Sequence, residues 1–194
     1  MTQDEVLDEF RAAGALLEGH FILTSGLRSA AYMQCARVLM DAKRAARLCK
    51  ALAEKVRKKV AGPIDMVFSP AMGGVVVGYE MGRQLERPAI FFERADGSFV
   101  LRRGFTIEPG ARCLMVEDVV TTGLSSRECI AAASGLGAEV VAGCSLIDRS
   151  GGKAEIGVPL VALASLEIPA YPPDKIPPEL ASIPAIKPGS RGLK

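Results

Sequence analysis

Histidine is almost absent from this chain: His20 stands alone among 194 residues. The five cysteines, Cys35, Cys49, Cys113, Cys129 and Cys144, are odd in number, widely spaced and include no Cys-x-x-Cys pair. These scarcities argue against structural zinc and against a disulfide framework. An excess of charge is lacking too, with 24 basic against 22 acidic residues and a net charge of +2, so there is no electrostatic reason to expect a nucleic-acid partner. No apolar run approaches the roughly 18 residues of a membrane span. The N-terminus, MTQDEVLDEF, is acidic and amphipathic where a secretory leader would be basic and then apolar. The expectation is a cytoplasmic protein in a reducing compartment, with no membrane partner. What the chain does have is a 49% hydrophobic composition, enough to bury the core of one domain without staples.

Apolar residues at Val6, Leu7, Phe10, Ala13 and Leu17 recur near the helical period and predict a helix over 3–17, with Thr2 or Asp4 as its cap. Residues 20–40 carry β-type side chains interrupted by Ser25-Gly26, the pattern of a hairpin or of two short strands around a turn. A second helix is expected over 41–60, capped by Asp41 and closed by Gly62-Pro63, its many basic residues forming a solvated face. From residue 64 the pattern becomes strand, loop, helix. A strand over 64–68, a small-residue loop over 69–74 and a helix over 75–85 come first. The strands AIFFER and ARCLMVEDV, a helix over 125–136, and the strands EVVAGCSLID and VPLVALASL follow. Strands that are apolar throughout and alternate with helices imply a parallel sheet covered on both faces, an α/β architecture in a single domain spanning 1–194. The proline-rich end reads as an irregular tail.

The chemistry concentrates in MVEDVVTTGLSS, residues 115–126. Ligands of such sheets sit beyond the carboxyl ends of the strands, where loops lead into helix N-termini. In the Thr121, Thr122, Gly123, Leu124, Ser125 loop, small side chains let backbone amides converge, hydroxyls add donors, and the next helix turns its positive end inward: a phosphate cradle. Glu117 and Asp118, just before it, are two adjacent carboxylates whose repulsion is relieved by a ligand bearing hydroxyls or developing positive charge. A sugar phosphate supplies both. The loop over 69–74, with Gly73-Gly74, allows close backbone approach to a second anion.

The string VEDVVTTG resembles the phosphoribosyl-pyrophosphate signature of the type I phosphoribosyltransferases, and within that family the resemblance is strongest to the short bacterial orotate phosphoribosyltransferases. LTSGLRSAAYMQC is similar to the family's hood segment, FSPAMGG to its pyrophosphate loop, FFERADGSFVLRRG stands where its mobile loop belongs, and SLIDRSGG resembles its strand-end Arg segment. The fold implied is a central, mostly parallel sheet flanked by helices (core about 41–165), with a small hood from 1–40 and part of the C-terminal region. The activity implied is Mg²⁺-dependent transfer of a phosphoribosyl group from phosphoribosyl pyrophosphate to orotate, in pyrimidine (UMP) biosynthesis.

The resemblance also distributes roles. Glu117 and Asp118 would hold the ribose hydroxyls, and Val119, Val120 and residues 121–125 the 5-phosphate side. Ser69, Ala71, Gly73 and Gly74 would hold the pyrophosphate, Arg149 the orotate carboxylate, and Arg28 a further contact from the hood. Tyr32 belongs either to that wall or to the core. Arg149 after Asp148 has, on composition alone, the alternative of a strand-end ion pair. Mg²⁺ would be held mainly by the substrate. Arg94 is retained in the mobile segment, but the family's usual Lys and His are absent, leaving Arg102 and Arg103 as charge donors to the pyrophosphate or as a basic hairpin exit. Asp96-Gly97 is a hairpin signal, so the lid would be a β-ribbon. In the family this loop serves the neighbouring subunit, which implies a homodimer. His20, beside Phe21-Ile22, reads as packed or capping. Two other readings stay open: a regulator of the same fold that binds the sugar pyrophosphate without turnover, and a purine phosphoribosyltransferase.

Overall fold

The computed structural model describes residues 1–23 and 26–187. Its first helix, α1 (Gln3–Ala12), opens on a reciprocal cap: the Glu5 amide donates to the Thr2 hydroxyl, and the Thr2 amide to the Glu5 carboxylate. The helix stops at Ala12, short of the expected residue 17, because Gly14 takes a φ of +59° and Leu16 and Leu17 belong to the next strand. That strand, β1 (Leu16–Ile22), pairs antiparallel with β2 (Arg28–Met33), the hairpin expected from the sequence. Ser25, at its turn, lies outside the described residues. A single turn, α2 (Ala36–Leu39), leads to α3 (Ala42–Lys59), where the Asp41 carboxylate caps the amides of Lys43 and Arg44. The basic face of α3 is partly tied down: Arg44 and Arg47 grip Glu9, and Lys55 donates to the carbonyls of Ala162 and Leu163.

The remaining core elements are β3 (Met66–Pro70), α4 (Gly74–Leu85), β4 (Ala89–Ala95), β5 (Ser98–Leu101), β6 (Arg112–Val120), α5 (Leu124–Gly135), β7 (Glu139–Asp148) and β8 (Leu160–Ser165). The strands form one sheet in the order β5-β4-β3-β6-β7-β8, parallel except for the edge strand β5. Both faces are buried, as the continuous apolar strands require. Leu114, Val116 and Leu146 pack with α1, α3 and α4 on one side, and Phe68, Phe92 and Met115 with α5 on the other. Gly74, Gly78 and Gly82 recur every fourth residue along α4. A Cβ at position 78 would lie 2.6 Å from the Ser69 hydroxyl, and one at 82 would lie 2.7 Å from the Ala89 Cβ. The stripe lets the helix backbone lie flush on β3 and β4, which fixes where its N-terminus points.

The proline-rich segment is more ordered than the sequence suggests. β9 (Ala170–Tyr171) adds to β2 and completes a second sheet, β1-β2-β9. Ile186 then exchanges backbone bonds with this sheet, accepting from the Ile22 amide and donating to the His20 carbonyl. A short helix, α6 (Pro178–Ala181), buries Leu180. Proline hides these elements from a sequence reading: β9 has two residues, and Pro178 occupies the first helical position, where a missing amide is harmless. His20 is buried, its Nδ1 donating to the Ile183 carbonyl at 2.9 Å. Leu180→Ala is expected to lower the unfolding free energy by about 2 kcal/mol or more, read from urea denaturation. An unchanged midpoint would mean that the segment does not pack against the body.

Candidate functional site

The site grows from the carboxyl end of β6. The strand continues through Val120, so Glu117 and Asp118 are held within it. Glu117 faces α5, where the Ser126 hydroxyl, completely buried, donates to its Oε2. Asp118 faces the loop before α4: a Cβ on Gly73 would stand 3.0 Å from its Oδ1. The stretch after β3 and the stretch after β6 therefore meet at this carboxylate. Burial pushes the Glu117 carboxyl up to about 7, the Ser126 bond pulling it down and the neighbouring Asp118 adding to the rise. Burial also raises Asp118, opposed by the Val119 amide, which donates to its Oδ1 at 2.9 Å, and by the Cys35 thiol.

Beyond Val120 the chain turns through Thr121 and Thr122, both exposed, to Gly123 at φ +73°. A Cβ there would come within 2.9 Å of Ile156, so the position is closed to side chains twice over, by conformation and by space. Because Gly123 is also the cap of α5, the helix starts with no side-chain bond from its cap residue. Thr122 reaches the Leu124 amide at a long 3.4 Å. Leu124 and Ser125 are exposed on the first turn. The result is a set of amides aimed outward at the positive end of a helix, the arrangement that receives a phosphate. The side chains of Val119 and Val120 do something else. Both pack into the core, Val120 almost fully buried, so only their backbone faces the loop.

The second loop differs from expectation at its start. β3 extends to Pro70, which places Ser69 within the strand, its side chain covered by α4, so the free stretch is Ala71, Met72 and Gly73. Gly73 caps α4, again without a side-chain bond, and Gly74 is buried against Ser69, Pro70 and the Val116 carbonyl. The Ala71–Met72 peptide is cis.

Arg149 follows β7 and does not pair with Asp148. The Asp148 carboxylate is instead wrapped by the Ser150 hydroxyl and amide and the Gly152 amide, at 2.6–2.8 Å. Burial alone would raise Asp148, but these donors and Ser165 prevail and hold it below its usual range. Arg149 lies beside Cys35 and Tyr32, its Nε buried with no partner among the described residues, and burial lowers its pKa. Arg28, at the start of β2, likewise buries Nε and Nη1 without partners among the described residues. The sequence reading missed Cys35, which lies near both Asp118 and Arg149, and Ser126. Neither residue type signals a role by spacing, since both contacts are made across elements.

Two of the three hairpin cations, Arg94 and Arg103, are engaged rather than free. β4 and β5 close around Asp96-Gly97, both at positive φ. Arg94 pairs with Glu128 on α5 and covers the Phe99 ring at 4.2 Å. Arg103 takes Glu93 through two nitrogens at 2.7 and 3.1 Å. Arg102 is exposed and makes no ion pair among the described residues. Among those residues, no three His, Cys, Asp or Glu side chains converge as a metal cage, and no helix is long and apolar enough to cross a membrane.

A family model described as phosphoribosyl transferase domain matches residues 38–165. An orotate phosphoribosyltransferase of Parvibaculum lavamentivorans is 60% identical over 193 residues, covering 100% of this chain and 100% of its own. Its counterpart in Caulobacter vibrioides is 60% identical over 194 residues, with the same coverage. The crystal structure of orotate phosphoribosyltransferase from Aeropyrum pernix superposes with a TM-score of 0.71 at 28% identity, covering 84% of this chain and 94% of that one. The chain belongs to the phosphoribosyltransferase family, in the group of the orotate phosphoribosyltransferases.

Proposed function

We propose that this protein transfers the phosphoribosyl group of phosphoribosyl pyrophosphate to orotate, releasing pyrophosphate and forming orotidine 5′-phosphate, a step of pyrimidine biosynthesis. The observation that carries the reading is the meeting, at the end of β6, of uncapped helix amides, two half-buried carboxylates and an Arg149 whose Nε has no partner among the described residues. The amides from 121 to 125 take the 5-phosphate, and Glu117 and Asp118 accept from the ribose hydroxyls. The backbone of Ala71, Gly73 and Gly74 receives the pyrophosphate. Arg149 presents a planar fork that suits the orotate carboxylate, with Arg28 as a second cation from the small sheet, which acts as a hood. No protein nucleophile is required. As the anomeric carbon loses pyrophosphate and gains the pyrimidine nitrogen, positive charge grows on the sugar beside two carboxylates, and alignment does most of the work.

Mg²⁺ fits this donor set as an ion that arrives on the substrate: the local oxygens suit a hard cation, yet they converge too sparsely to cage one. The chemistry supplied there would be charge neutralisation of the leaving pyrophosphate. Glu117 and Asp118 would reach the ion through the sugar. Arg102 is the hairpin cation available to the pyrophosphate, whereas Arg94 and Arg103 would first have to leave Glu128 and Glu93. Five free, buried cysteines suit the reducing cytoplasm.

A homodimer is part of the proposal. Met72, Val76 and Tyr79 form an apolar stripe at helical spacing beside the pyrophosphate loop, exposed by 83%, 51% and 70%. The pair of substitutions Val76→Asp and Tyr79→Lys is expected to convert a dimer into a monomer in sedimentation velocity. A parent that already sediments as a monomer contradicts the assignment. For the reaction, Arg149→Ala should raise the orotate KM by about a hundred-fold, the size expected for a charge-assisted bond, and change the phosphoribosyl pyrophosphate KM by about two-fold at most. Orotate consumption followed by absorbance reads both constants. Equal effects on the two would misplace Arg149.

A further inference from the structure

Ser126 has no part in the cradle. It lies one residue past the loop, fully buried, in the first turn of α5. Its hydroxyl is spent on Glu117, nine residues earlier in the chain and on a different element. The other groups facing that carboxylate offer it little. Cys129, one turn further along α5, adds an apolar wall with a thiol whose pKa burial pushes up. Asp118, on the same strand, repels it. Ser145, its register neighbour on β7, has a buried hydroxyl with no hydrogen-bond partner among the described residues, so no second donation comes from that side. Arg94, which like Glu117 lies near Cys129, is committed to Glu128. Glu117 is thus a carboxylate held in a poorly solvating place by a single side-chain donor.

We propose that Ser126 is a positioning residue for the transfer: by donating to Oε2 of Glu117 it fixes the rotation of that carboxylate and leaves Oε1 to accept from one ribose hydroxyl. This rests on the proposed role of Glu117 as a sugar ligand. A carboxylate free to rotate would have to be ordered at the moment of binding, whereas one pinned through a single oxygen is already aimed. The same donor favours the ionised form, the one that can accept from a hydroxyl.

The test is equilibrium binding of phosphoribosyl pyrophosphate with Mg²⁺, by calorimetry, from about pH 6 to pH 9, on four proteins: the parent, Ser126→Ala, Glu117→Gln and the double variant. Ser126→Ala is expected to weaken binding about ten-fold at pH 8, the cost of one bond to a charged group. Affinity should fall as pH drops through the Glu117 pKa. Loss of the donor that holds this pKa down should move that fall to higher pH. In the Glu117→Gln background, Ser126→Ala should have little further effect, because Ser126 acts through the carboxylate. Additive losses in the double variant, or an unmoved pH dependence in Ser126→Ala, would overturn the proposal and leave Ser126 a packing residue. Turnover is not needed for this reading. A parent that binds the sugar pyrophosphate but does not consume orotate refutes the proposed activity while the Ser126 result stands, and a parent that does not bind it refutes both.

Discussion

The site depends on two helices beginning without caps. Among the four helices of ten residues or more, α1 closes its N-terminus with Thr2 and Glu5, and α3 with Asp41. The two that point into the site, α4 and α5, each begin on a glycine that contributes no side-chain bond. An uncapped N-terminus leaves amides without partners and forgoes about 1 kcal/mol of local stability. That cost is sensible where an anion completes the cap. Gly123 enforces the condition, because its positive φ and its contact with Ile156 exclude the Ser, Thr or Asp that would otherwise satisfy the helix.

The distribution of charge follows the same logic. Glu117 and Asp118 are half-buried side chains with no facing cation among the described residues, and the burial of their carboxyls raises both. Arg149 and Arg28 bury guanidinium nitrogens without a partner among the described residues. Nearby groups that would quench these charges are held elsewhere: Asp148 by its own turn and Arg94 by Glu128. A protein optimised for stability alone would pair these charges with one another. Keeping them apart suits the two proposed substrates, one bringing hydroxyls to the acids and the other a carboxylate to the guanidinium groups.

Much of this was legible in the sequence, and the exceptions have physical causes. Apolar strands alternating with helices gave away the parallel sheet, because burial on both faces leaves no polar alternation to confuse the period. The turn proposed to hold the phosphate is legible as a turn into a helix because it is local: five consecutive residues build it. Contacts between elements are not. Nothing in the spacing of Ser126 and Glu117, or of Cys35 and Asp118, shows that a fold brings them together. The end of α1 differs from the sequence pattern because Leu17 continues a helical period while Gly14 breaks the helix. Ser69 reads as a loop residue in the sequence because small residues read as turns, whereas in the fold the small residues let α4 press onto β3. The C-terminal strand and helix were hidden by their proline content and shortness.

The central claim is that the turn after β6 binds a sugar phosphate, bounded by the acids before it. A crystal structure with ribose 5-phosphate tests it most directly. The account predicts the phosphate within hydrogen-bonding distance of the amides of residues 121–125, with the Glu117 and Asp118 oxygens on the ribose hydroxyls. A phosphate bound elsewhere on the molecule, with those amides facing water, would contradict it.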